Sequence, residues 1–222
     1  MRLGIFGGTF DPIHRGHLAC AVAARDRFRM DRLLLLPAAL PPHKQGEHVT
    51  AFRHRLAMVA LAARGIDRIA ASSDEALRVG PSFTVDTLAR FRATLDPSDP
   101  LLFLLGSDSL AELHAWRDPA GILSLANLVV APRPGASPAQ VAAALTADLR
   151  ARLIPPDLPI EPLPPSGNMY WLALPEQAVS GTEIRRRIRA GAPLEGLVPD
   201  AVAAYISEQE LYTEGGTTSW KR

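Results

Sequence analysis

The 222-residue chain has a single cysteine, almost no net charge and no long uninterrupted apolar stretch. Each shortage closes off a class of function. Cys20 alone can form neither an intramolecular disulfide nor a cysteine-based metal cluster, which fits a reducing, cytoplasmic setting. Lys and Arg number 24 against 23 Asp and Glu, a formal charge of +1, so no global field draws the chain to nucleic acid or to an anionic membrane. Any contact with a polyanion must therefore be local. Proline interrupts the most apolar segment, Leu33 to Pro42, well short of the roughly 20 residues that cross a bilayer. Met1 to Phe6 lacks the apolar stretch of a secretory signal and runs straight into a glycine turn. We expect a soluble protein with neither nucleic-acid nor membrane partners, and the sequence leaves its oligomeric state open.

What is present has the rhythm of an α/β fold. Leu3 to Phe6, Leu33 to Leu36, Leu101 to Leu105 and Leu128 to Ala131 are short continuous apolar runs, as parallel strands covered on both faces require. They alternate with Gly16 to Phe28, Phe52 to Ala63, Thr84 to Leu95 and Pro138 to Leu153, which carry apolar residues at helical spacing. Arg68 to Ser72 and Tyr170 to Leu174 are weaker strand signals. The expected architecture is a doubly wound, mostly parallel sheet with helices on both faces. Residues 1–214 form one domain in this reading, and 215–222 a frayed tail. Ile154 to Asn168 reads as a proline-rich loop.

Two segments carry the chemistry. Gly7-Gly8-Thr9-Phe10-Asp11-Pro12-Ile13-His14-Arg15-Gly16-His17 follows the first strand, at the carboxyl edge where open α/β sheets bind ligands. Gly7 and Gly8 let the backbone approach a bulky anion and are expected at positive φ. His14 and His17 flank a helix start whose free N–H groups favour negative charge. The plainer alternative is that both histidines merely cap or pack. Ser180-Gly181-Thr182-Glu183-Ile184-Arg185 offers a second helix start with two hydroxyls and a guanidinium, and is equally a capping sequence. Gly106-Ser107-Asp108 lies after another strand. There Asp108 suits either a ribose hydroxyl or the N-cap of the next helix. Lys44, in Pro41-Pro42-His43-Lys44, is a mobile point charge within reach of phosphate. His48, His54 and His114 are assigned no chemical role.

The 7–17 and 180–185 segments resemble the two signatures of the nucleotidyltransferase α/β phosphodiesterase superfamily, whose fold is Rossmann-like. Pro41 to Lys44, Pro81 to Thr84 with Asp86 to Leu88, Gly106 to Leu110, Trp116 and the ending Leu197 to Tyr212 resemble, within it, the bacterial nicotinate-nucleotide adenylyltransferases. The resemblance spans nearly the whole chain. It departs at Ala38 and Ala39, where asparagine is frequent, and at Arg117, where an aromatic is usual. It implies adenylyl transfer from ATP to nicotinate mononucleotide, in NAD biosynthesis, with Mg²⁺ on the phosphates and no protein metal cage. The implied catalytic residues are His14, His17 and Arg185. Gly7, Gly8, Thr9, Phe10, Lys44, Gly106, Asp108, Ser180, Thr182 and Arg185 would hold ATP, while Thr84 and Trp116 would meet the nicotinate end. Another phosphorylated acceptor, or a binding protein without turnover, are the competing readings.

Overall fold

In the computed structural model, which describes residues 1–39, 49–77, 80, 82–133, 135–174 and 179–213, the apolar runs pair into one seven-stranded sheet. Its strands are β1 (Leu3–Gly8), β2 (Arg32–Pro37), β3 (Ile69–Ala71), β4 (Leu101–Gly106), β5 (Asn127–Ala131), β6 (Leu153–Ile154) and β7 (Met169–Trp171). The order is β3-β2-β1-β4-β5-β7-β6, and every pairing is parallel. The helices are α1 (Arg15–Arg27), α2 (Phe52–Ala63), α3 (Thr84–Arg92), α4 (Ser107–Ala111), α5 (Pro119–Leu125), α6 (Pro138–Ala144), α7 (Ala147–Arg150), α8 (Gly181–Arg189) and α9 (Asp200–Glu208).

The strands read as unbroken apolar runs because successive side chains enter two different cores. Leu33 and Leu35 join Leu102, Leu104, Val129 and Tyr170 on one face of the sheet, against Ala21 of α1, Met58 of α2 and Val202 of α9. Leu34 and Leu36 join Phe103, Leu105, Leu128 and Val130 on the other, against Leu88 of α3, Ile122 of α5 and Val141 of α6. A buried leucine contributes about 1.5–3 kcal/mol. Slipping one strand by a single residue would exchange its two sets of side chains between cores, so the register is tightly held.

Strand order reverses between β1 and β4, the neighbours at the middle of the sheet. Chains leaving their carboxyl ends depart to opposite faces, opening a crevice there. α1, after β1, packs on the first core, whereas Trp116 and Val85 pack on the second.

Three expectations change. The stretch expected as a helix from Pro138 to Leu153 breaks at Leu145, whose ψ of 151° is extended, and Thr146 caps a separate turn by accepting a hydrogen bond from Leu149 N–H. Leu153 then pairs with Met169 as an edge strand, so the region expected as loop begins inside the sheet. Gly7 and Gly8 are not at positive φ; they continue β1, pairing with Leu36 and Pro37. Glycine is needed there for space, since a Cβ on Gly7 would lie 2.9 Å from the Phe103 ring. The left-handed residue of this loop is Phe10, with φ 50°.

Candidate active site

A cleft of about 960 Å³ occupies the crevice at the carboxyl ends of β1 and β4. Its lining brings together Gly7, Gly8, Thr9, Phe10, His14, His17, Gly106, Asp108, Ser180, Thr182 and Arg185, with Thr84 and Trp116. Lys44 lies outside the described residues. Phe10 is only 2% exposed, and its ring packs edge-on against Phe6 and His17.

The two histidines do what the plainer reading expected and leave a donor over. His14 is the N-cap of α1, in extended conformation, and its Nδ1 accepts from His17 N–H at 3.3 Å, while His17 Nδ1 accepts from His14 N–H at 3.2 Å. The rings stack with centroids 3.6 Å apart. Since both Nδ1 atoms are acceptors, the proton of each neutral imidazole resides on Nε2. Burial, with Arg133 nearby, lowers His14 to a pKa of about 4. Burial, then His14 and Arg133, hold His17 well below the ordinary value as well. At neutral pH the pair is uncharged, and capping has fixed which nitrogen donates.

The two signature segments, 174 residues apart, meet at one carbonyl. Arg185 Nη1 donates to Asp11 O at 2.6 Å, and its Nη2 donates to the Thr182 hydroxyl at 3.3 Å. Gly181 opens α8 against the same atom, and a Cβ on Gly181 would sit 3.0 Å from Asp11 O. Ser180 is the helix cap, its Oγ accepting from Glu183 N–H, so of the two hydroxyls proposed as caps Thr182 is free for the guanidinium. Two helix N-termini thus line one cleft, that of α1 through Gly16 and His17 and that of α8 through Gly181 and Thr182.

Residues that the sequence reading passed over hold this junction in place. The Asp11 carboxylate accepts from the Tyr212 hydroxyl at 2.7 Å and from Thr50 N–H at 3.3 Å. Arg55, 1% exposed, donates to the carbonyls of Thr50, Thr9 and Ala39, fastening the β1–α1 loop to both ends of the β2–α2 connection with one guanidinium. Arg133, also on the cleft wall, follows β5 as Asp108 follows β4. Its N–H donates to Ser107 Oγ at 3.0 Å and its Nε lies 3.3 Å from both oxygens of Asp108. The rule that singled out Asp108, position at a strand's carboxyl end, would have found Arg133. Asp108 itself is not an N-cap. It stands inside α4, whose cap position is Gly106, and pairs with Arg133 instead.

The other end of the cleft is aromatic. Trp116 meets Phe103 edge-on at 6.5 Å, and Arg117 lies over the Phe83 ring at 4.8 Å. Glu75 is buried beside Thr87, whose hydroxyl donates to Glu75 Oε1 at 2.6 Å. Cys20 lines the cleft, but burial pushes its thiol up to about 11, so it is no nucleophile at neutral pH.

A parallel sheet with a crevice at its reversal point, two helix N-termini and neutral histidine donors defines a nucleotidyltransferase of the α/β class. The cytidylyltransferase-like family profile matches residues 5–187. A probable nicotinate-nucleotide adenylyltransferase of Chromobacterium violaceum is 42% identical over 212 residues, covering 95% of this chain and 98% of its own. One of Geobacter sulfurreducens is 41% identical over 217 residues, 97% of this chain and 100% of its own. The solved nicotinic acid mononucleotide adenylyltransferase of Plasmodium falciparum, complexed with NaAD, shares the fold at a TM-score of 0.70 and 16% identity, over 95% of this chain and 97% of that one. The chain belongs to the nicotinate-nucleotide adenylyltransferase family.

Proposed function

We propose that the protein transfers the adenylyl group of ATP to nicotinate mononucleotide, giving nicotinate adenine dinucleotide and pyrophosphate in NAD biosynthesis. The observation that carries this reading is the meeting of both signature segments at Asp11 O beside the two Nε2–H donors. The family's relatives, named for the same activity, support it.

A phosphate oxygen of the mononucleotide attacks the α-phosphorus of ATP, a new P–O bond forms, and the bond to the bridging oxygen breaks as pyrophosphate departs. The nucleophile is already an anion, so no general base is required. The protein's work is alignment and stabilisation of charge on the α-phosphate and leaving group. His14 and His17 donate through Nε2 toward the α-phosphate. Arg185, Thr182 and the N-termini of α1 and α8 receive the triphosphate, with Lys44 as a further cation. Arg133 adds positive charge at the same wall, and Asp108 serves the ATP ribose once Arg133 turns to phosphate. Thr84 and Trp116 accommodate the nicotinate ring.

Among the described residues no three His, Cys, Asp or Glu side chains gather to hold a metal. A Mg²⁺ ion would be carried on the phosphates of ATP with most of its waters, neutralising their charge when bound.

Pyrophosphate release from Mg²⁺-ATP, with nicotinate mononucleotide, nicotinamide mononucleotide and phosphopantetheine as separate acceptors, tests the reading. We expect turnover chiefly with nicotinate mononucleotide. Preference for phosphopantetheine, or no turnover with any of the three, would overturn it.

A further inference from the structure

Arg55 lies behind the first signature segment rather than in the cleft. It is buried and does not line the cleft wall, yet its Nη1 donates to the Thr9 carbonyl at 2.8 Å, while Nε and Nη2 donate to the carbonyls of Thr50 and Ala39 at 2.8 and 3.3 Å. Thr9 and Phe10 both line the cleft. The peptide between them is trans, so its carbonyl and its N–H point in opposite directions. With the carbonyl fixed on the buried guanidinium, the Phe10 N–H is turned away from Arg55, toward the cleft. Among the described residues none accepts from that N–H.

That orientation is not the one the backbone prefers. It places Phe10 at φ 50°, a left-handed value that is rare for a bulky side chain. Turning the peptide over needs only opposing rotations at Thr9 ψ and Phe10 φ, which leave both side chains largely in place and return Phe10 to negative φ. The turned peptide would present an oxygen to the cleft, where a phosphate repels it. Arg55 opposes the turn in two ways: its planar fork, set by two further carbonyls, holds Thr9 O, and its charge polarises the same peptide, strengthening the N–H as a donor. A strained residue of this kind persists only where its surroundings fix it. We propose that Arg55 is a positioning residue, which acts through the Thr9–Phe10 peptide to keep a backbone N–H aimed at the triphosphate and at departing pyrophosphate. The inference rests on the phosphate site of the reaction proposed above.

Thr9-Phe10 is the only Thr-Phe step in the sequence, so threonine labelled with ¹³C at its carbonyl and phenylalanine labelled with ¹⁵N mark this peptide alone. The test follows its NMR signal in the full-length parent, Arg55→Lys and Arg55→Gln as inorganic pyrophosphate is added, beside the KM of ATP and of the acceptor measured well below each melting temperature. Loss of an amide hydrogen bond to an anion lowers affinity about tenfold. We expect pyrophosphate to move the Phe10 N–H signal downfield in the parent. The variants should show a displaced Thr9 carbonyl signal, a weaker N–H response and a loss of that size in pyrophosphate affinity and in the KM of ATP, with little change in the KM of the acceptor. Lower melting temperatures with unchanged pyrophosphate affinity would make Arg55 a packing residue, and a Phe10 N–H that pyrophosphate does not move in the parent would remove the peptide from the phosphate site; either result overturns the proposal. The second needs no variant, so it decides even where neither substitution folds. A parent inactive with every acceptor would instead bring down the reading of the reaction, while the labelled peptide still decides the role of Arg55.

Discussion

Replacing His17 separates the two jobs that the capping geometry gives to one ring. In His17→Ala the donor at Nε2 is lost, and so is the Nδ1 acceptor that satisfies His14 N–H at 3.2 Å. The ring's stack on His14 at 3.6 Å and its edge contact with Phe10 at 5.0 Å disappear as well. Loss of one preorganised donor lowers turnover by about 10²–10³. Loss of the cap interaction costs about 1 kcal/mol, or about 2–4 °C in Tm for a chain of this size. Asparagine behaves differently. Its Oδ1 stands where Nδ1 stood and can accept from His14 N–H, but nothing replaces Nε2. His17→Asn is therefore expected to lose turnover as fully as the alanine variant while keeping Tm within about 2 °C of the parent. Single-turnover adenylyl transfer and thermal melts on the three proteins provide the comparison. An asparagine variant within threefold of parental turnover would refute the assignment of catalysis to Nε2. One that melts as low as the alanine variant would refute the account of the cap.

The remaining expectations concern the residues around that pair. Arg185→Ala should raise the KM for ATP and the inhibition constant for pyrophosphate at least tenfold, with a much smaller change for the acceptor; equal losses would remove Arg185 from the phosphate site. Tyr212→Phe takes the hydroxyl from Asp11 and leaves a buried carboxylate oxygen short of a donor, at a cost of about 1–3 kcal/mol in denaturant unfolding. His14, lowered to about 4 in the folded protein, takes up its proton near pH 6.5 when unfolded. The unfolded state therefore binds more protons between those values, and stability should fall as pH drops from 6.5 to 4, by up to about 1.4 kcal/mol per unit for this residue. His17 acts with the same sign, so removing either ring should flatten the acid limb measured by chemical denaturation.

The sheet was legible because its strands are buried on both faces, and a run such as Leu33 to Leu36 admits little else. Helix interiors were legible for the same reason, and their ends less so: the break at Leu145 depends on Thr146 turning its hydroxyl to Leu149 N–H, a local choice that the apolar spacing of Pro138 to Leu153 conceals. At the site, glycines and histidines stood out by type and position. Arg133, Arg55 and Tyr212 did not, because arginine is common in this chain and a tyrosine 201 residues from its partner announces nothing by spacing. Gly7 and Gly8 were read as positive-φ residues, whereas they stay extended in β1 and are needed for their small size. For Gly7 that need is set by the Phe103 ring from a neighbouring strand, which no local pattern records.

The junction at Asp11 has a consequence for how the protein comes into being. A ribosome delivers residues 7–17 and then the strands that support them, yet the guanidinium of Arg185 and the hydroxyl of Tyr212 arrive 174 and 201 residues after Asp11. Until then the leading loop lacks the partners that orient it, however well the sheet has formed. The leading loop thus waits on those partners, and a chain cut short before Gly181 would carry the histidine pair without the Thr182 and Arg185 side chains that share its cleft.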